Sequence, residues 1–531
     1  MNRNLFAQEA IAQIPKILTL MDRNVHSYNY GCFDRNFWQY KIIDFPSGMS
    51  QEFVFPLALA YKTNIPENHF YGQEIIRDWV EAGILFAAKS AHKDGSCDDY
   101  FPFERAGGAA AFSLLACIES YKLMELDNPN ALRFFEKRAD WLAHHQESGR
   151  LTNHQALIVL CLELLSDLLK TDKWNQSKQE RLEQVLSWQN HEGWFQEYEG
   201  CDPGYHTLTI SCLAWIYELN PNIDLKGALA KAVALASHFV HPDGSYGGEY
   251  TSRNTYNFFP YGFELVGKWM PEALNINDRF LQGLEKGLNP CYADDHIVGH
   301  HTWNYLLAWR DFVEVRPDLS PRPQGRFHLK EGGILIDRRE NTELYIALNK
   351  GGVFKLFRDN KLIVSDTQFS VLIKEGNKVK NAVAHLVSSR YKIELGENEI
   401  IIQGSLGWAK QKQMTSFNLI VLRIVMFTLG RFFPNLIRKT LQKILITGKK
   451  NAPFGFYRSL QWDNGNWVVY DQLTAESWDS VIAGGIGCDQ TSIYVVMSRT
   501  FQEGQLQRWF DLTPQIKQLE PKQNLTLERK L

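Results

Sequence analysis

Asp94-Gly95-Ser96 belongs to a short loop motif that returns about every fifty residues in the first part of the chain. The later copies, at spacings of 53, 45 and 51 residues, are Glu147-Ser148-Gly149, Glu192-Gly193-Trp194 and Asp243-Gly244-Ser245. An acidic pair, Asp294-Asp295, follows 51 residues further on. Each of the first four copies precedes polar and aromatic residues and then a run with helical periodicity. A repeat of this length predicts stacked helical hairpins, each too small to bury its own apolar face.

The composition predicts a large globular protein with two domains. A chain of 531 residues exceeds the size of a single core, and 44% hydrophobic residues supply enough apolar surface. The aromatic content of 13% is high and suits stacking against sugar rings, while the net charge of −3 predicts no attraction to nucleic acid. Eight cysteines without a CxxC pair indicate free thiols, and the N-terminus lacks a secretion-signal pattern. The sequence therefore predicts a cytoplasmic protein, and no motif predicts a metal or cofactor.

The pattern of hydrophobic residues changes once along the chain. Residues 1–315 predict an incomplete α/α toroid, and a proline-containing linker follows at 316–326. Residues 327–531 predict an antiparallel β-sandwich with a helical insert at about 415–447. The clearest predicted strands are 333–336, 343–348, 391–395, 399–402, 467–470 and 492–496.

Polar clusters precede the predicted helices at 156–169, 207–219 and 258–268. The inner helices of a toroid point the same way, so their N-termini share one rim, and helix N-termini attract carboxylates and sulfates. The clusters lie at 151–154, 197–206 and 247–256, with further candidates at 101–105 and 300–304. The candidate site residues in them are Asn153, His154, Tyr205 and Arg253, with Glu104, Arg105, Glu199, His206, Glu249, Tyr250, Asn254, Tyr256, His301 and Trp303.

Each cluster also has a purely structural interpretation. Asn153 suits a helix cap, and Asp202-Pro203 suits a helix start without any functional role. Tyr205 could be a core residue, and Arg253 could pair with Glu249. Several such coincidences on one rim are less expected than one, which favours a functional site.

Several of these motifs resemble the heparinase II/III-like proteins, which are related to the toroid alginate lyases. The similar motifs are Asn153-His154, Asp202-Pro203-Gly204-Tyr205, 247–255, 33–38, 44–46 and 94–96 with Glu104-Arg105. The resemblance spans nearly the whole chain and implies lyase action on a polysaccharide that contains uronic acid. It implies that Asn153 and His154 neutralise the uronate carboxylate and that Tyr205 acts as base, acid or both.

The implied chemistry removes the C5 proton of a uronate and eliminates the 4-linked sugar. That proton is weakly acidic, so the developing enolate must be stabilised. An unperturbed Tyr has a pKa near ~10, so Tyr205 needs a cation such as Arg253 nearby to act as a base. His301, His328 and His385 are candidates for further site residues. Because no export signal is visible, the sequence favours a role in polysaccharide biosynthesis or processing.

Three alternatives to a lyase remain open from sequence. Proton abstraction without elimination would give a uronyl C5-epimerase. A toroid glycoside hydrolase would need a carboxylate pair, which could come from Glu197, Glu199, Asp202 and Glu249. The third alternative is a non-catalytic protein that binds the glycan during assembly.

The insert is basic and apolar. No acidic residue lies between Glu399 and Asp463, whereas ten basic residues do: Lys410, Lys412, Arg423, Arg431, Arg438, Lys439, Lys443, Lys449, Lys450 and Arg458. The apolar run at 417–429 is too short to span a bilayer. The insert predicts either an amphipathic element lying on anionic lipid at the inner face of the membrane, or a helical hairpin packed against the toroid.

Overall fold

The computed structural model describes residues 2–147, 149–197, 200–290, 295–409, 415–442, 450–490 and 501–531. Its N-terminal part is helical. The helices in this part are α1 (Asn4–Ile11), α2 (Ile14–Leu20), α3 (Arg35–Trp38), α4 (Val54–Lys62), α5 (Glu74–Ser90), α6 (Gly107–Leu123), α7 (Pro129–His144), α8 (Thr152–Leu169), α9 (Asn175–Ser187), α10 (Pro203–Leu219), α11 (Lys226–Ser237), α12 (Tyr261–Gly267), α13 (Leu274–Glu285) and α14 (Asp295–Arg310).

Six of these helices form the inner ring of a toroid. Helices α4, α6, α8, α10, α12 and α14 each contact the next, and α14 also contacts α4. The outer helices α5, α7, α9, α11 and α13 pack on the inner helices that precede or follow them. Side chains of α6, α8 and α10 are buried almost all around, because each helix touches ring neighbours and outer helices together.

The repeated loop motif is a repeated turn. Gly95, Gly149, Gly193 and Gly244 all have φ between +89° and +104°, a region that L side chains rarely adopt. At Gly95, Gly193 and Gly244 a Cβ atom would come within 2.4–2.6 Å of the backbone of an outer helix. All four loops thus use a left-handed glycine, and at three of them the turn is pressed against the neighbouring outer helix, whereas Gly149 has no atom within 4 Å of the position that a Cβ atom would take. The acidic pair at 294–295 lies partly outside the described residues.

The three predicted rim helices are confirmed, with different ends. Helix α8 begins four residues before the predicted 156 and α10 four before 207, while α12 is shorter than predicted at both ends. The N-cap of α8 is Leu151, and Asn153 lies inside the helix, so the interpretation of Asn153 as a cap is wrong. Asp202 does cap α10, because its side chain accepts from the backbone N–H groups of Gly204 and Tyr205.

The C-terminal part contains two antiparallel sheets. A five-stranded sheet has the order β3-β4-β5-β6-β7, and the larger sheet follows β15-β14-β8-β9-β11-β12-β13-β16, with β10 beside β11. A short hairpin, β1 (Gln196–Glu197) with β2 (Gly200–Cys201), lies in the toroid. The remaining strands are β3 (Gly325–Leu329), β4 (Ile334–Arg339), β5 (Thr342–Ala347), β6 (Val353–Arg358), β7 (Lys361–Asp366), β8 (Phe369–Glu375), β9 (Lys378–Val383), β10 (Lys392–Leu395), β11 (Glu399–Trp408), β12 (Asn451–Asp463), β13 (Asn466–Ala475), β14 (Val481–Ile486), β15 (Phe510–Asp511) and β16 (Leu525–Lys530).

The five-stranded sheet is buried on both faces. On β6, Val353 and Phe357 join the helical core, whereas Phe354 and Leu356 join the core between the two sheets. Successive residues of a strand point to opposite faces of the sheet, so β6 contributes side chains both to the helical core and to the core between the sheets. The predicted sandwich is confirmed, and its smaller sheet also packs on the toroid. The predicted strand at 492–496 lies outside the described residues.

The insert is helical, as predicted. It contains α15 (Ser416–Val425), a π-helical turn at Met426–Gly430 and α16 (Pro434–Gln442). A further short helix, α17 (Thr513–Ile516), packs on β14. Across the described part of the chain, every helix is too short or too polar to cross a membrane.

Candidate functional site

Asn153 in the first turn of α8 is held by a buried carboxylate. Glu197 Oε1, on the β1–β2 hairpin, accepts from the Asn153 backbone N–H at 3.0 Å and from its Nδ2 at 2.8 Å. Asn153 Oδ1 accepts no hydrogen bond from the described residues. One amide N–H and one amide oxygen of Asn153 thus remain for a ligand, while Glu197 fixes the side chain's position.

Tyr205 and Arg253 meet at the start of α10. The Arg253 guanidinium carbon lies 4.2 Å from the centre of the Tyr205 ring, and its Nε donates to Asp202 Oδ2 at 2.5 Å. Thr255 donates its hydroxyl to the other Asp202 oxygen at 2.6 Å. The residue that caps α10 therefore also positions Arg253. The alternative interpretation of Arg253 as a partner of Glu249 is wrong, because the structure pairs it with Asp202.

Glu197 connects Asn153 with the Arg253–Tyr205 pair. Its Oε2 lies 3.8 Å from Arg253 Nη2, so Asn153, Glu197, Arg253 and Tyr205 form one chain of contacts. All four are buried, with exposed fractions of 4% or less. Burial raises the pKa of Glu197 to about 6, against the lowering effect of Arg253 and the hydrogen bonds from Asn153. The nearby carboxylates raise the pKa of Arg253 despite its burial, so the guanidinium stays charged.

His154 lies on the other side of the α8 N-terminus. Its Nδ1 is 2.7 Å from Glu147 Oε2, and its side chain is 19% exposed, more than those of the buried group. Gly108 allows the ring to approach α6, because a Cβ atom there would lie 2.5 Å from His154 Cε1. His154 is thus oriented by a loop of the repeated motif.

The loop at 247–256 is tied to the five-stranded sheet by two buried lysines. Lys355 Nζ lies 3.0 Å from Glu249 Oε2 and donates to the Tyr256 hydroxyl at 2.8 Å. Burial raises the pKa of Glu249, but the charge of Lys355 and the hydrogen bond from Tyr256 outweigh it and lower the pKa overall. Gln505 Nε2 also donates to Glu249 Oε1 at 3.1 Å, so these side chains form a buried polar cluster between toroid and sheet.

Lys350 fixes the same loop from the turn between β5 and β6. Its Nζ donates to the Glu249 and Thr251 carbonyls at 2.9 and 2.7 Å and to Asn254 Oδ1 at 2.6 Å. Asn254 has φ of +59°, a left-handed conformation beside Arg253. Sequence reasoning missed Lys350 and Lys355. The available signal for Lys355 was its position between apolar residues in Val353-Phe354-Lys355-Leu356, a run that is not among the predicted strands.

The other nominated residues have contacts of their own. Glu104 accepts from the backbone of Asp99 and Tyr100, and Arg105 pairs with Asp94. His206 bonds the Ala232 carbonyl at 2.9 Å, and burial lowers its pKa to about 4. These contacts place Glu104 and Arg105 in a loop turn and His206 in the helical core. The structure does not bring them against Tyr205.

Tyr250, His301 and Trp303 are also core residues. The Tyr250 hydroxyl lies 3.0 Å from His241 Nε2, and the Trp303 Nε1 donates to Glu52 at 2.5 Å. The His301 ring stacks on Phe259 at 4.4 Å between ring centres. Glu199 lies outside the described residues. Among the described residues, no three His, Cys, Asp or Glu side chains are grouped to hold a metal ion.

The histidines expected from the sandwich are placed elsewhere. His385 Nδ1 lies 3.0 Å from the Thr367 carbonyl, within the β region. His328 lies on β3, near the five-stranded sheet's edge. The 247–256 loop is reached from this region by Lys350 and Lys355, by the Gln490 carbonyl, which accepts from Asn254 Nδ2 at 2.6 Å, and by Gln505 Nε2, which donates to Glu249 Oε1 at 3.1 Å.

Comparison with known proteins gives matches by structure alone. A scan of protein families finds no match, and a search of curated proteins finds no relative by sequence. The chondroitin AC lyase of Streptomyces coelicolor A3, in complex with chondroitin sulphate, aligns with a TM-score of 0.55 at 10% identity, over 92% of this chain and 68% of that one. Heparinase III aligns with a TM-score of 0.50 at 12% identity, over 83% of this chain and 64% of its own. The chain thus spans just under two thirds of heparinase III, and the likeness establishes a shared fold.

Proposed function

We propose that this protein is a lyase that cleaves an acidic, uronic-acid-containing polysaccharide by C5 proton abstraction and β-elimination. The observation that carries the proposal is the contact chain Asn153–Glu197–Arg253–Tyr205, which joins the N-terminal ends of two adjacent inner helices. The fold shared with chondroitin AC lyase and heparinase III supports the same class of substrate.

In the proposed reaction the start of α8 receives the uronate carboxylate. The second amide N–H of Asn153, His154 and the positive end of the helix stabilise the charge that develops on that carboxylate as C5 loses its proton. The buried setting strengthens these interactions relative to water. Glu197 does not touch substrate in this scheme and acts by holding the Asn153 amide.

Tyr205 supplies the proton-transfer group. The Arg253 guanidinium over the ring stabilises the phenolate, so the Tyr205 oxygen can take the C5 proton. The electrons of the C5–H bond form the C4–C5 double bond, and the C4–O bond breaks. Tyr205, now protonated, returns a proton to the departing oxygen. One group thus acts as base and then as acid.

The carboxylates nominated for a hydrolase are engaged in other contacts. Asp202 caps α10 and binds Arg253 and Thr255, while Glu249 binds Tyr256 and Lys355. A hydrolase needs one protonated and one ionised carboxyl facing the glycosidic bond. Glu197 in turn holds Asn153, so each described candidate is committed to another contact, which favours the lyase.

The test incubates the full chain with heparan sulfate, chondroitin sulfate, hyaluronan and alginate and follows absorbance near 232 nm. A rise shows the unsaturated uronide that elimination forms. New reducing ends without absorbance would show a hydrolase. Uptake of solvent deuterium at C5 without cleavage would show an epimerase, and binding without any of these would show a glycan-binding protein. Each of the last three results contradicts the lyase proposal. A role in polysaccharide biosynthesis is part of the proposal and predicts activity on a nascent, cell-associated polymer.

A further inference from the structure

The insert exposes a cluster of large apolar side chains. Seven of them, here called the insert face, are between 58% and 73% exposed: Phe417, Ile420, Ile424, Leu429, Phe432, Phe433 and Leu436. Helix α15 has no buried residue at all. A concentration of exposed large apolar side chains on a folded protein marks a site of interaction.

The insert is attached to the toroid on its other side. Arg423 pairs with Asp44 at 2.6 Å, and the Phe427 ring lies edge-on to Phe103 at 5.3 Å between ring centres. Asn435 donates to the Gln146 carbonyl at 3.3 Å. These few contacts hold the insert in place and leave the insert face directed away from the toroid. The predicted alternative of packing against the toroid therefore accounts for only part of the segment.

The sequence of the insert is basic. No acidic residue lies between Glu399 and Asp463, and the sequence of α16 includes Arg438 and Lys439. Arg431 is exposed, with its guanidinium carbon 5.7 Å from the centre of the Phe103 ring. Arg458 does not contribute, because it is fully buried between Asp366 and Asp471. Exposed apolar side chains flanked by basic residues match the chemistry of an anionic lipid surface, where acyl chains lie beneath negative headgroups.

We propose that the insert face docks on an anionic membrane surface and holds the rim of the toroid close to it. Gln146, which the insert contacts, immediately precedes Glu147, the partner of His154. Docking would therefore place the start of α8 beside the bilayer. This inference does not depend on the proposed lyase activity.

The test is sedimentation of the full chain with sucrose-loaded vesicles of phosphatidylcholine, with and without phosphatidylglycerol. We expect the chain to pellet with the anionic vesicles at low salt and to be released as salt rises, because part of the attraction is electrostatic. Combined substitution of Phe417, Ile420, Ile424 and Phe432 by Ser should weaken binding about 100-fold, because apolar burial is lost. All four side chains are exposed, so folding should be unaffected.

The matched control combines Val315→Ser and Leu506→Ser, which remove apolar side chains that are 88% and 74% exposed elsewhere. The control should bind as the parent does. A parent that stays in the supernatant, that binds both vesicle types equally, or that keeps its affinity in the Ser variant would each overturn the proposal. A parent that self-associates but does not bind vesicles, and a Ser variant that no longer self-associates, would assign the insert face to a second copy of the chain. That result would also overturn the proposal.

Discussion

The Arg253 guanidinium stacks over the Tyr205 ring, with 4.2 Å between the guanidinium carbon and the ring centre. Asp202 holds the guanidinium at the start of α10. A cation fixed over a tyrosine ring stabilises the phenolate more than the phenol. The geometry therefore gives Tyr205 the electrostatic setting that a proton-transferring residue needs, and it makes the role of each partner testable.

Tyr205→Phe should abolish turnover and leave folding nearly unchanged. Only a hydroxyl is lost, while the ring under Arg253 remains. The matched control is Tyr217→Phe, which removes a hydroxyl near the other end of α10. Turnover by absorbance near 232 nm and unfolding by circular dichroism are the measurements. A Phe variant as active as the parent would refute the role of Tyr205.

Arg253→Lys should reduce kcat by about 100-fold or more, although the charge is kept. A lysine loses the planar stack on Tyr205 and cannot place separate N–H groups towards Asp202 and Glu197 as the guanidinium does. KM should change less than kcat, because the interaction serves the transition state. An unchanged kcat in the Lys variant would show that the stack has no part in catalysis.

Asn153→Ala should lower turnover by about 100- to 1000-fold, the range found for loss of one donor to a developing oxyanion. Because Asn153 does not cap α8, the substitution removes no capping interaction. The free energy of unfolding should therefore fall by only about 1 kcal/mol, for the lost hydrogen bond to Glu197. Asn175→Ala, at the exposed start of α9, is the control. Equal losses of turnover in both variants would contradict the assignment.

Glu197→Gln should change how stability depends on pH. Burial raises the pKa of Glu197 from 4.5 to about 6, so the folded state binds this proton more tightly than the unfolded state does. Protonated Glu197 therefore contributes to the free energy of unfolding, and this contribution is fully present below pH 4.5 and is lost as pH rises through 6. The loss should be about 2 kcal/mol, at about 1.4 kcal/mol per pKa unit.

The measurement for Glu197 is the difference in urea unfolding free energy between parent and Gln variant across this pH range. Taking the difference cancels other titrating groups, including His206, whose lowered pKa acts in the opposite direction as pH falls. A difference that is independent of pH would show that Glu197 titrates normally.

Lys355→Met should destabilise the protein by about 3–5 kcal/mol, because it leaves the Glu249 carboxylate buried without its ion-pair partner. Lys361→Met, on the exposed start of β7, is the control and should cost little. A double variant, Lys355→Met with Glu249→Gln, should recover part of the loss. No recovery would indicate that Lys355 stabilises the loop through packing alone.

Local patterns in the sequence determined the architecture. The spacing of the acidic-glycine loops predicted the hairpin repeat, because the turns use left-handed glycines, and three of these, such as Gly95, are pressed against the next outer helix. The change to alternating residues after the linker fixed the antiparallel sheets. Asp202-Pro203 fixed the start of α10. These features depend on residues that are close together in the chain, so they can be predicted from the sequence alone.

The partners of the site residues were decided by tertiary structure. Asn153 and Glu197 are 44 positions apart, and Arg253 and Asp202 are 51 apart. From sequence, Arg253 could also have paired with Glu249. In the structure Glu249 pairs with Lys355, which strand β6 of the smaller sheet brings against the same loop. The partner of a buried charge is the opposite charge that tertiary packing places beside it. A single sequence does not show which distant strand will supply that charge.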